Sequence, residues 1–481
     1  MAAHPTLPSG GTGRAPAPRK LGLTSLLAVA IGLVVSQGVM VLMLQGVGIA
    51  GFGFIIPLAI AWLLALCYAC SFSELALMMP RSGGLSTYTE VAIGQFPAIL
   101  ATFSGYIVVA MFALSAELLL MEFIIDKVYP HSLPSLSIAF GVLALFTVLN
   151  LFNIDIFARL QTALAVVMVV ILLVMGLGAI ASDIPTPNPT ALAQWNPMGM
   201  GVIALAAMAV WGFVGAEFVC PLVEETRRPE RAIPASMFIG LTVIFVIICA
   251  YGLGALLTVP QAELAANGLP HYLFATTVFG ETGKVFLVAA SITATCSTLN
   301  SSLAAIPRML FGMARNGQAF KVFKVQGKRS GAPWVAVLFI SGVTGLPLLL
   351  MHDHPDAINQ LLLSAALAWL LAYVITHINV IALRRRYPLA ARPFKTPLYP
   401  LPQAVGIAGM LYAIWHVSPS PDMTFAIFAY AGMVLLLVSV IAIIWIKVVM
   451  RKPLFKPEPL ALDEQSNRPD LPGVTVPGVP V

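Results

Sequence analysis

Charge is what this sequence has least of. Of its 481 residues, 20 are acidic and 26 basic, or 10% charged, where an ordinary globular domain carries about 25%. So little charge cannot cover the surface of a soluble protein, although the length would suit about three soluble domains. Cysteine is also sparse. All five cysteines (Cys67, Cys70, Cys220, Cys249, Cys296) fall inside apolar stretches. Cys67 and Cys70 have the spacing of a redox or metal pair, but such pairs usually open a soluble βαβ helix. This pair lies deep in apolar sequence with no second pair nearby, so packing cysteines are expected and no metal site. There is no G-x-x-x-x-G-K-[ST] phosphate loop and no loop longer than about 25 residues. An appended nucleotidase, kinase or sensor has no room, and transport driven by ATP on this chain is not expected. Residues 1–20 lack the apolar core of a signal peptide. Together with the proline-rich stretch 451–481, they read as disordered cytoplasmic tails.

Apolar sequence, by contrast, is everywhere: 59% of residues are hydrophobic and the mean hydropathy is +0.93. Runs long enough to span a bilayer, about 20 residues each, recur from end to end. Breaking at Pro/Gly clusters and charges gives twelve spans, near 22–47, 54–78, 98–125, 135–152, 157–181, 201–222, 233–258, 280–312, 333–351, 359–383, 400–417 and 423–447. The fold class is therefore all-α and polytopic, with the lipid bilayer as its solvent. With the amino terminus inside, 24 of the 26 Lys and Arg residues fall on the cytoplasmic side and only Lys127 and Lys284 outside. Such asymmetry is what sets membrane orientation. It places both termini in the cytoplasm, suits an inner (plasma) membrane, and accounts for the net charge of +6 without nucleic acid as a partner.

Two spans are interrupted. The sixth contains Trp211-Gly212-Phe213-Val214-Gly215-Ala216-Glu217, in which two glycines and a carboxylate break an apolar helix. Gly weakens helix, and an ionisable group at membrane depth is costly unless it faces a cavity or a partner. Broken backbone persists there only where it is buried or lines water. The first span does the same at Ser36-Gln37-Gly38. Interrupted segments at matching places in two halves point to an inverted-repeat transporter with its site at the midplane. The halves would be 21–182 and 200–384, with two additional helices over 400–447. A formal G-x-G-x-x-G at Gly46-Val47-Gly48-Ile49-Ala50-Gly51 lacks the strand and soluble βαβ unit of a dinucleotide fingerprint. It reads as an outer corner, and no cofactor is expected.

Other elements cluster on the cytoplasmic side. They are Pro80-Arg81-Ser82-Gly83-Gly84 with Tyr88, Glu225 with Arg228-Pro229-Glu230-Arg231-Ala232-Ile233-Pro234, and Arg315-Asn316-Gly317. Together with the break from Gly32 to Met40, they resemble, in order and over most of the chain, the motifs of the amino acid–polyamine–organocation superfamily of permeases. The sixth span is similar to the W-x-F-x-G-x-E of its polyamine and arginine/agmatine carriers at Trp211, Phe213, Gly215 and Glu217. The resemblance implies a five-plus-five inverted repeat with helices one and six unwound around a small-molecule substrate. It implies that N–H groups at Ser36, Gln37 and Gly38 receive a carboxylate, and that carbonyls at the sixth break receive an amino group. Trp211, Phe213 and Gly215 would then line the substrate, and Glu217 would serve proton coupling or gating.

The chain departs from the family at Gln37, where a small residue is usual, and at Asn316, where Asp is usual. Glu117 on the third span is an intramembrane acid that reads equally as a site residue or a buried partner. Glu122, nearer the outer end, reads as structural and hydrated. If both Glu117 and Glu217 face the cavity, an amine, polyamine or cationic amino acid is the expected substrate. Ser291, Thr295, Asn300, Ser301 and Ser302 on the eighth span, and Tyr373, His377 and Asn379 on the tenth, read as helix-packing hydrogen-bonders. The expected function is a secondary-active permease for amino acids or amines, coupled to protons or working by exchange, and not an enzyme. The alternatives are a channel, which would need repeated polar rows, a receptor of the same fold, and a membrane enzyme, for which His352-Asp353-His354 in an outer loop offers no constellation.

Overall fold

A computed structural model describes residues 21–80, 84–130, 133–152, 157–188, 195–328, 330–354 and 356–460. The expected amino-terminal tail, residues 461–481 and Arg81 to Gly83 lie outside these residues. Every described element is helical except for one isolated parallel bridge between Leu21 and Thr226. Among the described residues, nine helical stretches are long and apolar enough to cross a membrane, and there are three shorter apolar helices, Leu23–Val34, Ser137–Leu151 and Leu401–Trp415.

Taken in chain order they make twelve spans. The first is two half-helices, Leu23–Val34 and Gln37–Ala50. The second is Ile55–Met78, the fourth Ser137–Leu151, the fifth Phe157–Ile180 and the seventh Pro229–Thr258. The third runs from Gln95 to Val128, with two stretches of wide π turns at Phe103–Val108 and Ala110–Leu114 before Ser115–Val128. The sixth is broken between Ala206–Trp211 and Ala216–Glu225. The eighth, Pro270–Arg315, bends at Gly280, whose φ of 55° explains why the apolar reading starts the span there. The ninth is Trp334–Met351, the tenth Ala357–Arg386, the eleventh Leu401–Trp415, and the twelfth Pro421–Ile444 continued by Trp445–Met450.

Burial sorts these spans into a centre and a rim. The third, sixth and tenth are each 89% buried along their most apolar window, while the twelfth is 11% buried. Trp415, Phe425 and Leu436 point outward from the eleventh and twelfth, as lipid-facing side chains should. The end of the bundle that carries Leu21, Glu225, Arg315 and Arg384 is called the basal end here. There Glu74 accepts two bonds from Arg384, at 2.8 and 2.6 Å, and one from the Thr396 N–H.

Only residues 451–460 of the stretch expected to be a disordered tail are described. They lie across the basal end. The Phe96 N–H donates to the Leu454 carbonyl and the Glu458 N–H to the Glu90 carbonyl, each at 2.9 Å. Lys452 and Gln95 both donate to the Glu458 carboxylate, and Phe455 packs edge-on against Phe96. A proline-rich composition predicts absence of helix, but it does not exclude an extended segment held by neighbouring backbone.

Candidate substrate site

The first break begins where Val35 (ψ 88°) and Ser36 (φ −115°, ψ 169°) leave the helical region. The second half-helix therefore starts with free backbone N–H groups, and Ser36 makes no side-chain cap to them. A helix start of this kind carries about half a positive charge and attracts an anion. The anion is supplied by the protein itself. Glu117 reaches across from the third span, accepting the Gln37 N–H at 2.9 Å and the Gly38 N–H at 2.7 Å, one on each carboxylate oxygen. Glu117 is 1% exposed, so these charge-assisted bonds are what make its burial tolerable.

Gln37 turns its side chain away from the break. Its amide donates to Thr295 Oγ1 (2.6 Å) and to the Glu117 carbonyl (3.3 Å), and its Oε1 accepts from Ser291 (2.8 Å). Thr295 also donates to the Glu117 carbonyl at 3.1 Å. The large residue at a usually small position is thus a bolt between spans one, three and eight.

The second break is a separate knot of bonds. The helix stops at Trp211, and Gly215 turns the chain at φ +105°. The backbone angle requires glycine, and the first span packs close to it, since a Cβ there would stand 2.7 Å from Leu33 Cδ2. Glu217 folds back on this turn. It accepts from the Gly215 N–H (3.1 Å), from Trp369 Nε1 (2.9 Å) and from the Tyr373 hydroxyl (2.6 Å). The Phe213 carbonyl freed by the break accepts from Tyr68 at 2.5 Å.

Between the two breaks lies a cavity of about 30 Å³, room for about two waters. Its wall includes Ser36, Glu117, Trp211, Thr298, Ser302 and Trp369, and the rest is aliphatic apart from Phe218. Trp211 Nε1 and Thr298 Oγ1 are buried there without a hydrogen-bond partner.

The structure thus brings Ser36, Gly38, Glu117 and Trp211 together, with the Gln37 backbone but not its side chain. Gly215 and Glu217 form the neighbouring knot, joined to the cavity through Trp369, which meets Trp211 edge-on at 6.1 Å. Phe213 does not line the cavity, since its ring turns toward Phe245 on the seventh span. Glu122 is buried, not hydrated, and caps the start of the fourth span through the Ala139 N–H at 2.8 Å. Trp369, Tyr68 and Thr298 were missed from the sequence. Only Trp369 left a signal, because it and Tyr373 stand four apart and so present two polar handles on one face of an apolar helix.

Twelve helical spans among the described residues, with the first and sixth broken around a buried, mostly apolar cavity that holds one carboxylate, define a polytopic membrane transporter. More specifically, the chain belongs to the family described as "Amino acid permease", whose sequence model matches residues 21–448. Among its relatives, the aromatic amino acid transport protein AroP of Salmonella typhimurium is 27% identical over 352 residues, covering 70% of this chain and 75% of that one. The branched-chain amino acid permease BcaP of Bacillus subtilis is 25% identical over 439 residues, covering 87% and 92%. A solved manganese transporter of Eremococcus coleocola superposes with a TM-score of 0.58 at 12% identity, over 88% of this chain and 94% of its own, a likeness of fold alone.

Proposed function

We propose that the protein is a secondary-active permease of the plasma membrane, with both termini cytoplasmic, that carries an amino acid or amine by alternating access. The observation that carries this reading is the tying of the two basal half-helices to each other at both ends. At the base, the Leu21 N–H donates to the Glu225 carbonyl (3.0 Å) and the Arg227 N–H to the Leu21 carbonyl (2.9 Å). At the breaks, Leu33 lies where a Gly215 side chain would be. Leu23–Val34 and Ala216–Glu225 are therefore built to swing as one piece about Val35-Ser36 and Gly212-Gly215. The cavity lies against that hinge, so such a swing opens it toward one side of the membrane.

Transport coupled to protons or to exchange suits a buried carboxylate in the cavity wall with a second one close behind it. The sequence points to Glu217 as the proton carrier. Its three donors and its place outside the cavity wall favour a bracing role instead, and we assign the carboxylate reached by a cation to Glu117, which borders the cavity. Counterflow in proteoliposomes preloaded with a mixture of amino acids and amines tests the carrier reading. Accumulation of label against its own gradient is expected. Label that only equilibrates, faster and without trans-stimulation, would favour the channel.

A further inference from the structure

Glu117 occupies the position a substrate carboxylate would need. A half-helix start in a broken span is a ready-made carboxylate site, and here both of its leading N–H groups are already taken. Trp211 Nε1 adds a third donor to the same spot. A Cβ placed on Gly38 would lie 2.8 Å from that nitrogen and 3.1 Å from Glu117 Oε1. The hole is thus an anion site filled from within.

We infer that the substrate is a primary monoamine with an apolar body and no carboxylate, and that Glu117 is its counter-ion. This rests on the carrier reading above. Among the described residues, Glu117 is the only charged one in the cavity wall, so one ammonium meets one carboxylate. The Glu117 carboxylate accepts two backbone N–H bonds and one from the Ser36 hydroxyl, and of its roughly four lone-pair sites this leaves one for an ammonium. The unpartnered Thr298 hydroxyl supplies another acceptor in the same wall. The remaining wall, from Leu33, Val34, Val109 and Leu114 to Phe218 and Trp369, suits an aliphatic or aromatic body. A second ammonium, as in a polyamine, would be stripped of water with no carboxylate to face, because Glu217 lies outside the wall and is held by three donors. An α-amino acid would bring a second carboxylate to N–H groups already occupied by the first, and the two would repel. Since the cavity holds only about two waters, the body enters when the aromatic wall moves apart.

The test is calorimetric binding to the full chain in detergent, with phenethylamine, isoamylamine, phenylalanine, leucine and putrescine as probes. The wild type is expected to bind phenethylamine or isoamylamine about tenfold or more tighter than the matching amino acid and than putrescine. Glu117→Gln, which keeps the shape and removes the charge, is expected to weaken the amine by about tenfold or more. Glu117→Ala vacates the two N–H groups and is expected to gain binding of phenylalanine or leucine, which a merely structural role does not produce. Tighter binding of the amino acid or of putrescine by the wild type would overturn the inference, as would amine binding indifferent to Glu117→Gln. If either variant fails to fold, the wild-type comparison decides alone. Counterflow separates the two readings. Amine binding without counterflow overturns the carrier and leaves the ligand class standing, whereas counterflow of phenylalanine but not phenethylamine does the reverse.

Discussion

Glu117 Oε1 lies 2.7 Å from the backbone nitrogen of Gly38 and Oε2 2.9 Å from that of Gln37, so a side chain of the third span caps a half-helix of the first. Gly38 is part of the same fit. A Cβ there would stand 2.7 Å from Leu362 Cδ2 and 2.8 Å from the indole nitrogen of Trp211. Gly38→Ala is therefore expected to displace Trp211 and lower substrate affinity by about tenfold or more, while the protein still purifies as a monodisperse species. Titration with the best wild-type ligand checks this, and unchanged affinity would show that Trp211 does not shape the site.

The bolt between spans one and eight should matter for stability before it matters for transport. Gln37→Leu removes the amide that meets Ser291 and Thr295 and leaves those hydroxyls with one partner fewer. Interhelical bonds of this kind are worth about 0.6–2 kcal/mol each in membrane proteins, and the substitution is expected to cost about 1–3 kcal/mol. Thermal melting in detergent would register the loss. A melting temperature equal to that of the wild type would mean the bolt carries no load.

For Glu217 the expected outcome concerns geometry. Gln in its place offers one acceptor oxygen and turns an NH₂ group toward neighbours that are themselves donors. Transport by Glu217→Gln is expected to fall about tenfold or more with its pH profile unmoved. Adding Tyr373→Phe, which removes one of the facing donors, should cost less than the sum of the two single changes. Loss of pH dependence in Glu217→Gln, with the maximal rate retained, would return the proton-carrying role to this residue.

At the basal surface the expectation is one of pH. Lys452, donating at 2.8 Å, holds the Glu458 carboxyl below its ordinary 4.5. A depressed carboxyl contributes stability above its unfolded value and loses it as pH falls through the folded one. Hydrogen-exchange protection of residues 451–460 should stay level from neutral pH down to about 5 and decline below 4.5. Protection that is flat through that range would separate the segment's docking from this pair.

Much of the fold was legible because the bilayer imposes length and polarity on every span, and because glycine beside a carboxylate in apolar sequence has few structural explanations. The site was legible only in part. Glu117 stood out as an acid at depth, yet its direction depends on the π turns from Phe103 to Leu114, which add residues per turn and defeat a helical wheel. The partners of Gln37 lie on spans three and eight, up to 258 residues away, and no local pattern announces them. Phe213 matched its family position but packs on Phe245, since the turn at Gly212 decides where its ring goes.

The central claim is that one buried site opens alternately to the two sides of the membrane, and a single reporter in its wall tests it most directly. With the five native cysteines replaced, Thr298→Cys in oriented vesicles is exposed to a membrane-impermeant thiol reagent from one side and then the other. The account predicts labelling from both sides, with substrate or a temperature shift trading one for the other. Labelling from one side only, unchanged by substrate, would contradict it.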